Sequence, residues 1–361
     1  MDKASKTIDA PHRRHQRASI VLPTLTCNRH GDSSNDLRRH RMSKNHGQTL
    51  TRRGFALLAT AFATGAAGGN LKHPLFGAYG GAGCTGVPEV RAFETFLGRN
   101  VDVVLDFLQK DKWAGMIGEA GWIAGCWKQL PGRRLAISVP MLVDEGAPTL
   151  AQGASGEFDG HFRDLARTLI GGGYGDAFVR IGWEFNGNWY SWAAAKDPAA
   201  FKAYWRRIAL AMRSVIGAHF QFDWNPTTAD GPLDEVYPGD DVVDVIGLDV
   251  YNQSWPKIAD PVERWSYLLH RPAGLMWHRD FAYAHGKPRS FPEWGTGTRP
   301  DGHGGGDDPF FVRSMLSWIT GGGEVSYACY WNYRAPDYDA KVTDNRLPQA
   351  AAALRAGWRK L

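Results

Sequence analysis

The sequence predicts an α/β protein built as one (β/α)8 TIM barrel, and three observations lead there. Eight short apolar runs recur along the chain, of the kind that parallel strands buried on both faces require. Amphipathic stretches of helical period fill the gaps between them, three with explicit start signals. The span that holds them, residues 70–361, has the length that eight strand–helix units need.

Taken in order, Leu75–Tyr79 is the first strand and runs into Gly77-Ala78-Tyr79-Gly80-Gly81-Ala82-Gly83. Those glycines lack the spacing of a phosphate-binding turn, which sets aside a doubly wound open sheet, the runner-up fold. Val101–Phe107 and Leu135–Leu142 are the second and third strands. Gly171–Gly173 stops the helix before the fourth, Phe178–Trp183. Asp197-Pro198 then starts a helix, with Asp as the cap and Pro in the first position, where a missing N–H costs nothing. Gly217 ends that helix before the fifth strand, Phe220–Trp224. The sixth, Val243–Tyr251, is followed by a helix opening at Asp260-Pro261. The seventh, Arg289–Pro292, is followed by one that opens at Asp308-Pro309 and stops at Gly321–Gly323, and Ser326–Trp331 closes the ring.

Charge separates the chain into two parts. Of 42 Lys+Arg and 37 Asp+Glu in 361 residues, residues 1–70 hold 12 and 4, which leaves the body slightly acidic. A nucleic-acid binder carries the opposite footprint, so no nucleic-acid partner is expected. No apolar run reaches the length of a membrane span, so no integral membrane segment is expected. Thr51-Arg52-Arg53-Gly54-Phe55 precedes the weakly apolar stretch Ala56 to Ala67, the pattern of a twin-arginine export signal. A disordered basic tail is the plainer reading. The export reading makes residues 1–69 a leader with Met42 as an alternative start, and residues 70–361 the barrel. It predicts the twin-arginine translocase as a partner, a mature chain starting between Thr64 and Asn70, and a periplasmic or secreted location. Cys84, Cys126 and Cys329 show neither zinc nor scaffold spacing. They read as three buried or free thiols, with a Cys84–Cys126 bridge as the alternative.

In such a barrel the chemistry sits at the C-terminal ends of the strands. Glu184 closes the fourth strand and Glu293 the seventh, each beside tryptophans. Paired carboxylates can break a glycosidic bond, one protonating the leaving oxygen while the other attacks or steadies the anomeric carbon. Indole faces stack on the C–H faces of sugar rings. Trp183, Trp189, Trp192, Trp224, Trp255, Trp294 and Trp331 all lie within a few residues of strand ends.

These residues resemble glycoside hydrolase family 26, in the retaining clan A of barrel hydrolases. The resemblance rests on Arg180-x-x-x-Glu184-x-Asn186-Gly187-x-Trp189-x-x-Trp192, on Tyr237-Pro238-Gly239-Asp240 running into Ile246–Tyr251, and on Pro292-Glu293-Trp294-Gly295. It implies Glu184 as acid/base, Glu293 as nucleophile and Tyr251 as the hydrogen-bond partner of Glu293. It implies a β-glycan substrate, β-1,4-mannan for most such enzymes and mixed-linkage glucan or xylan for some, and no metal or cofactor. The chain departs from the family's mannanases at Trp183, where His is usual, and at Trp294, where Phe is usual. That departure predicts that β-glucan-type or other bacterial polysaccharides are cleaved at least as well as plant β-mannan.

Each residue also has a plainer reading. Glu184 and Glu293 could be surface carboxylates, and Tyr251 a core residue. Arg180 either positions Glu293 or belongs to a structural ion pair. Asn186 and Asn225 either meet substrate hydroxyls or shape turns, and part of the Trp set packs the barrel rim. Asp249 reads as a loop tether. The function expected is an exported retaining β-glycanase acting on a polysaccharide or oligosaccharide. A transglycosylase on the same residues and a non-catalytic glycan-binding barrel are the alternatives.

Overall fold

The structure, a computed structural model, describes residues 73–321 and 323–359. The arginine pair, Met42 and the whole leader lie outside the described residues. The strands are β1 (Leu75–Tyr79), β2 (Val103–Phe107), β3 (Arg134–Val139), β4 (Phe178–Ile181), β5 (Gln221–Trp224), β6 (Val245–Gly247), β7 (Val250–Tyr251), β8 (Arg289–Gly295) and β9 (Val325–Trp331). The helices are α1 (Gly83–Leu97), α2 (Trp113–Trp127), α3 (Leu150–Ser155), α4 (Asp159–Gly171), α5 (Pro198–Arg213), α6 (Pro261–His270), α7 (Leu275–Ala284), α8 (Pro309–Gly321) and α9 (Pro348–Trp358). All ladders are parallel, in the order β6-β5-β4-β3-β2-β1-β9-β8-β7, and β6 also pairs with β8, which closes the ring. The result is the eight-staved barrel that the sequence predicts, with the sixth stave broken into β6 and β7. Among the described residues no helix is long and apolar enough to cross a membrane.

The break falls at a residue held from far along the chain. Between β6 and β7, Asp249 is wholly buried against the Arg180 guanidinium and keeps only an isolated bridge to Thr227. At β8 the expected end, Pro292, instead lies inside a longer strand. Phe291 and Trp294 oppose Ala328 and Tyr330, three steps against two, a bulge where proline has no N–H to offer. The bulge re-aims Glu293.

Alternation along the strands builds two apolar layers. Val103, Leu105, Ala136, Phe178, Val245 and Tyr327 form the core inside the barrel. Val104, Leu135, Ile137, Val179, Phe222 and Ile246 face the helices in the larger core. The caps form where the sequence places them. Asp197 accepts from the N–H of Ala200, Asp260 from Val262 and Glu263, and Asp308 from Phe310 and Phe311. Cys84 and Cys126 are joined in a disulfide, which corrects the expectation of three thiols, and Cys329 is free and buried. The pair stands 42 residues apart, brought together by the packing of α1 on α2, which no cysteine spacing encodes.

Candidate active site

Beyond β4 the chain turns sharply through two left-handed residues, Gly182 at φ 56° and Glu184 at φ 53°. Glycine adopts that conformation freely. Glutamate does not, and the surroundings must hold it there. The Glu184 N–H donates to the Asn225 carbonyl at 2.8 Å, and the Trp183 carbonyl accepts the Trp192 indole N–H at 3.1 Å. The turn delivers the Glu184 carboxyl, half-buried, to the barrel mouth, where the Trp189 indole N–H donates to Oε2 at 3.1 Å. Burial, followed by the charge of Glu293, pushes this carboxyl above the usual range, against hydrogen bonds from Thr227 and Trp189 and the charge of Arg180.

Glu293 is held from two sides. Arg180, with no exposed surface, donates through Nη2 to Glu293 Oε1 at 2.7 Å and to Asp249 Oδ2 at 2.7 Å. Its Nε donates to Asn225 Oδ1 at 2.6 Å and its Nη1 to Ser138 Oγ at 2.8 Å. The guanidinium thus spans β3, the end of β5, the break between β6 and β7, and β8. Asp249 also accepts the Glu293 backbone N–H at 3.1 Å. The Tyr251 hydroxyl donates to Glu293 Oε2 at 2.6 Å. Burial, with the charges of Glu293 and Asp249, holds that phenol well above its ordinary range, so it stays a donor. One carboxyl is therefore biased toward its protonated form while the other is aimed by a cation and a phenol. That division suits general acid catalysis beside nucleophilic attack.

The remaining sequence-selected residues divide by exposure. Glu184, Glu293, Tyr251 and Arg180 come together as described, and Arg180 takes both roles offered for it. Trp189 and Trp255 are 39% and 45% exposed, and Trp331 is half-buried. Trp183 is buried against Phe107 and Tyr190. Trp192, Trp224 and Trp294 expose no surface, which removes them from the substrate-binding set. Trp224 lies against Phe185, Tyr237 and Phe281, and Trp294 against Tyr330. Asn186 leaves the set too, since its amide bonds the Thr227 and Ala229 carbonyls and the Thr227 N–H, shaping a turn. Asn225 is wholly buried and serves Arg180. Asp249, read as a loop tether, is a partner of both Arg180 and Glu293.

Sequence reasoning missed part of the aromatic wall. Tyr79 stacks on Trp331 with centroids 4.4 Å apart, Phe107 meets both edge-on, and Tyr333 closes the group. Tyr79 and Phe107 are the last residues of β1 and β2, so the strand-end rule that found the two glutamates could have found them. Among the described residues no group of three or more His, Cys, Asp or Glu side chains is arranged to hold a metal ion.

A model of "Glycosyl hydrolase family 26" matches residues 177–269, from just before β4 through the body of α6. A search of curated proteins finds no match. Among solved structures the barrel is similar to a modular endo-β-1,4-mannanase of Cellulomonas fimi at TM-score 0.59 and 19% identity, over 79% of this chain and 70% of that one. It is similar to the Bacillus subtilis mannanase BCman at TM-score 0.54 and 17% identity, over 79% and 85%. A family 26 β-mannanase of Bacteroides ovatus gives TM-score 0.56 and 17% identity, over 80% and 89%. The segment bearing Arg180, Glu184 and Tyr251 is thus the segment the family model matches, inside a barrel fold shared with solved mannanases.

Proposed function

We propose that the protein is an exported retaining β-glycanase that hydrolyses a β-mannan or β-glucan type polysaccharide by double displacement. Glu184 donates its proton to the leaving glycosidic oxygen while Glu293 attacks the anomeric carbon and forms a glycosyl ester. Glu184, now ionised, takes a proton from water, which displaces Glu293 and restores both groups. Tyr251 and Arg180 hold Glu293 in the attacking position. The observation that carries this reading is the unequal treatment of the two carboxyls: Glu293 is clamped by Arg180 and Tyr251, while Glu184 is partly open and biased toward its protonated form.

The similarity to solved mannanases supports a mannan-type backbone. Trp183 broadens the choice, because its indole N–H is engaged by Tyr190 rather than offered to a substrate. The twin-arginine pattern supports export, and the Cys84–Cys126 disulfide suits an oxidising compartment.

Release of reducing ends from a panel of unbranched mannan, mixed-linkage glucan and bacterial polysaccharides tests the reaction. Azide separates the roles. Glu293→Ala rescued by azide yields a glycosyl azide of inverted configuration, and Glu184→Ala yields one of retained configuration. Products of swapped configuration exchange the two roles, and no reducing ends from any glycan overturns the hydrolase reading.

A further inference from the structure

Tyr190 stands beside the acid with a fixed ring and an unspent proton. Its ring stacks on Trp192 with centroids 4.4 Å apart and planes 10° from parallel, and Trp192 is itself wholly buried. Stacking on an immobile partner removes the rotational freedom a surface tyrosine would have. The Trp183 indole N–H donates to Tyr190 Oη at 3.0 Å. That bond fills one acceptor position of the hydroxyl and turns its own hydrogen away from Trp183. Among the described residues nothing accepts that hydrogen. The ring is half-buried and lies beside Trp189, whose indole N–H holds the Glu184 carboxylate. Burial and then the charges of Glu184 and Glu293 hold the phenol well above its usual range, so it remains a donor.

A donor fixed this firmly, next to the tryptophan that holds Glu184 and, among the described residues, without a protein acceptor, suits a ligand oxygen. We propose that Tyr190 is a specificity-determining residue whose hydroxyl donates a hydrogen bond to one ring hydroxyl of the hexopyranose at the cleaved bond, with Trp183 setting its direction. The inference rests on the glycosidase reading. It also gives Trp183 a use: an indole there spends its N–H on aiming the phenol, so the sugar meets a tyrosine hydroxyl.

The test uses the full chain and a series of aryl β-oligosaccharides, intact and lacking one hydroxyl at a time on the unit bound next to the aryl group. Tyr190→Phe keeps the stack on Trp192. It is expected to lower kcat/KM on the intact substrate by roughly 3- to 30-fold. For a single deoxy substrate, variant and wild type are expected to be equal, because the hydroxyl that Tyr190 serves is gone. The double variant Trp183→Phe/Tyr190→Phe removes the indole N–H left without an acceptor, and the same deoxy position must stay insensitive. A loss of equal size on every substrate marks a structural role and overturns the inference alone, as does no loss at all. A wild type that hydrolyses none of the series overturns the glycosidase reading and the inference with it.

Discussion

Replacing Tyr251 by Phe isolates one hydrogen bond. The phenol donates to Glu293 Oε2 at 2.6 Å, a short bond to a carboxylate, while Arg180 occupies the other oxygen. A bond to a charged group has a net value of about 1.5–3 kcal/mol, which converts to roughly 10- to 160-fold in rate. The two chemical steps do not share that loss equally. As Glu293 becomes an ester its charge disappears, so the first step gives up a bond to a fading charge. In the second step Glu293 leaves as a carboxylate, and the phenol stabilises charge as it develops. Tyr251→Phe should therefore slow deglycosylation most. With an activated aryl glycoside, kcat should fall 10- to 160-fold, KM should fall with it, and a burst of aryl alcohol should precede the steady state. The ring keeps its contacts with Trp331 and Tyr338, so the melting temperature should move by only a few degrees. An unchanged kcat, or a lowered kcat with unchanged KM and no burst, refutes this assignment of Tyr251.

Three further outcomes follow from the same geometry. Trp189 hydrogen-bonds the charged form of Glu184 and so lowers its pKa; without that bond the acid keeps its proton to higher pH. Trp189→Phe should then move the basic limb of the kcat/KM profile upward, and a limb that stays or falls counts against Glu184 as the acid. Because the folded-state pKa of Glu184 is raised, the native protein binds the extra proton more tightly than the unfolded chain, and stability is lost as pH rises above the ordinary carboxyl range. Glu184→Gln lacks that loss, so its melting temperature should exceed that of wild type near pH 7 and converge with it near pH 4; a constant difference at both values contradicts the shift. Finally, Cys84→Ser/Cys126→Ser opens a loop spanning 42 residues, which chain entropy values at about 4 kcal/mol, read as a lower denaturation midpoint; a midpoint equal to wild type's contradicts it.

The parts of the molecule legible in the sequence are those that local rules determine. Leu75–Tyr79 reads as a strand because both its faces are buried, and Asp197, Asp260 and Asp308 read as caps because the capping bond is local. Glu184 and Glu293 stand out because a barrel collects chemistry at its strand ends. The broken sixth stave was not legible, since it follows from Asp249 reaching Arg180 from 69 residues away. Nor were the fates of Trp192, Trp224 and Trp294. At a strand end the two-residue alternation lapses, and only the packing of Trp183 and Tyr190 on Trp192, of Phe185 and Phe281 on Trp224 and of Tyr330 on Trp294 decides that these indoles are buried. The disulfide depends likewise on how α1 meets α2.

The fork of Arg180 also orders events in time. Its partners lie 42, 45, 69 and 113 residues away, and the last is Glu293. A chain leaving the ribosome has completed β3, β4 and β5 well before β8 exists. Until β8 arrives the guanidinium has Ser138, Asn225 and Asp249 as partners but not Glu293. The contact that completes the Arg180 fork is also the one that aims Glu293, so a chain that lacks β8 has neither the fork nor the proposed site.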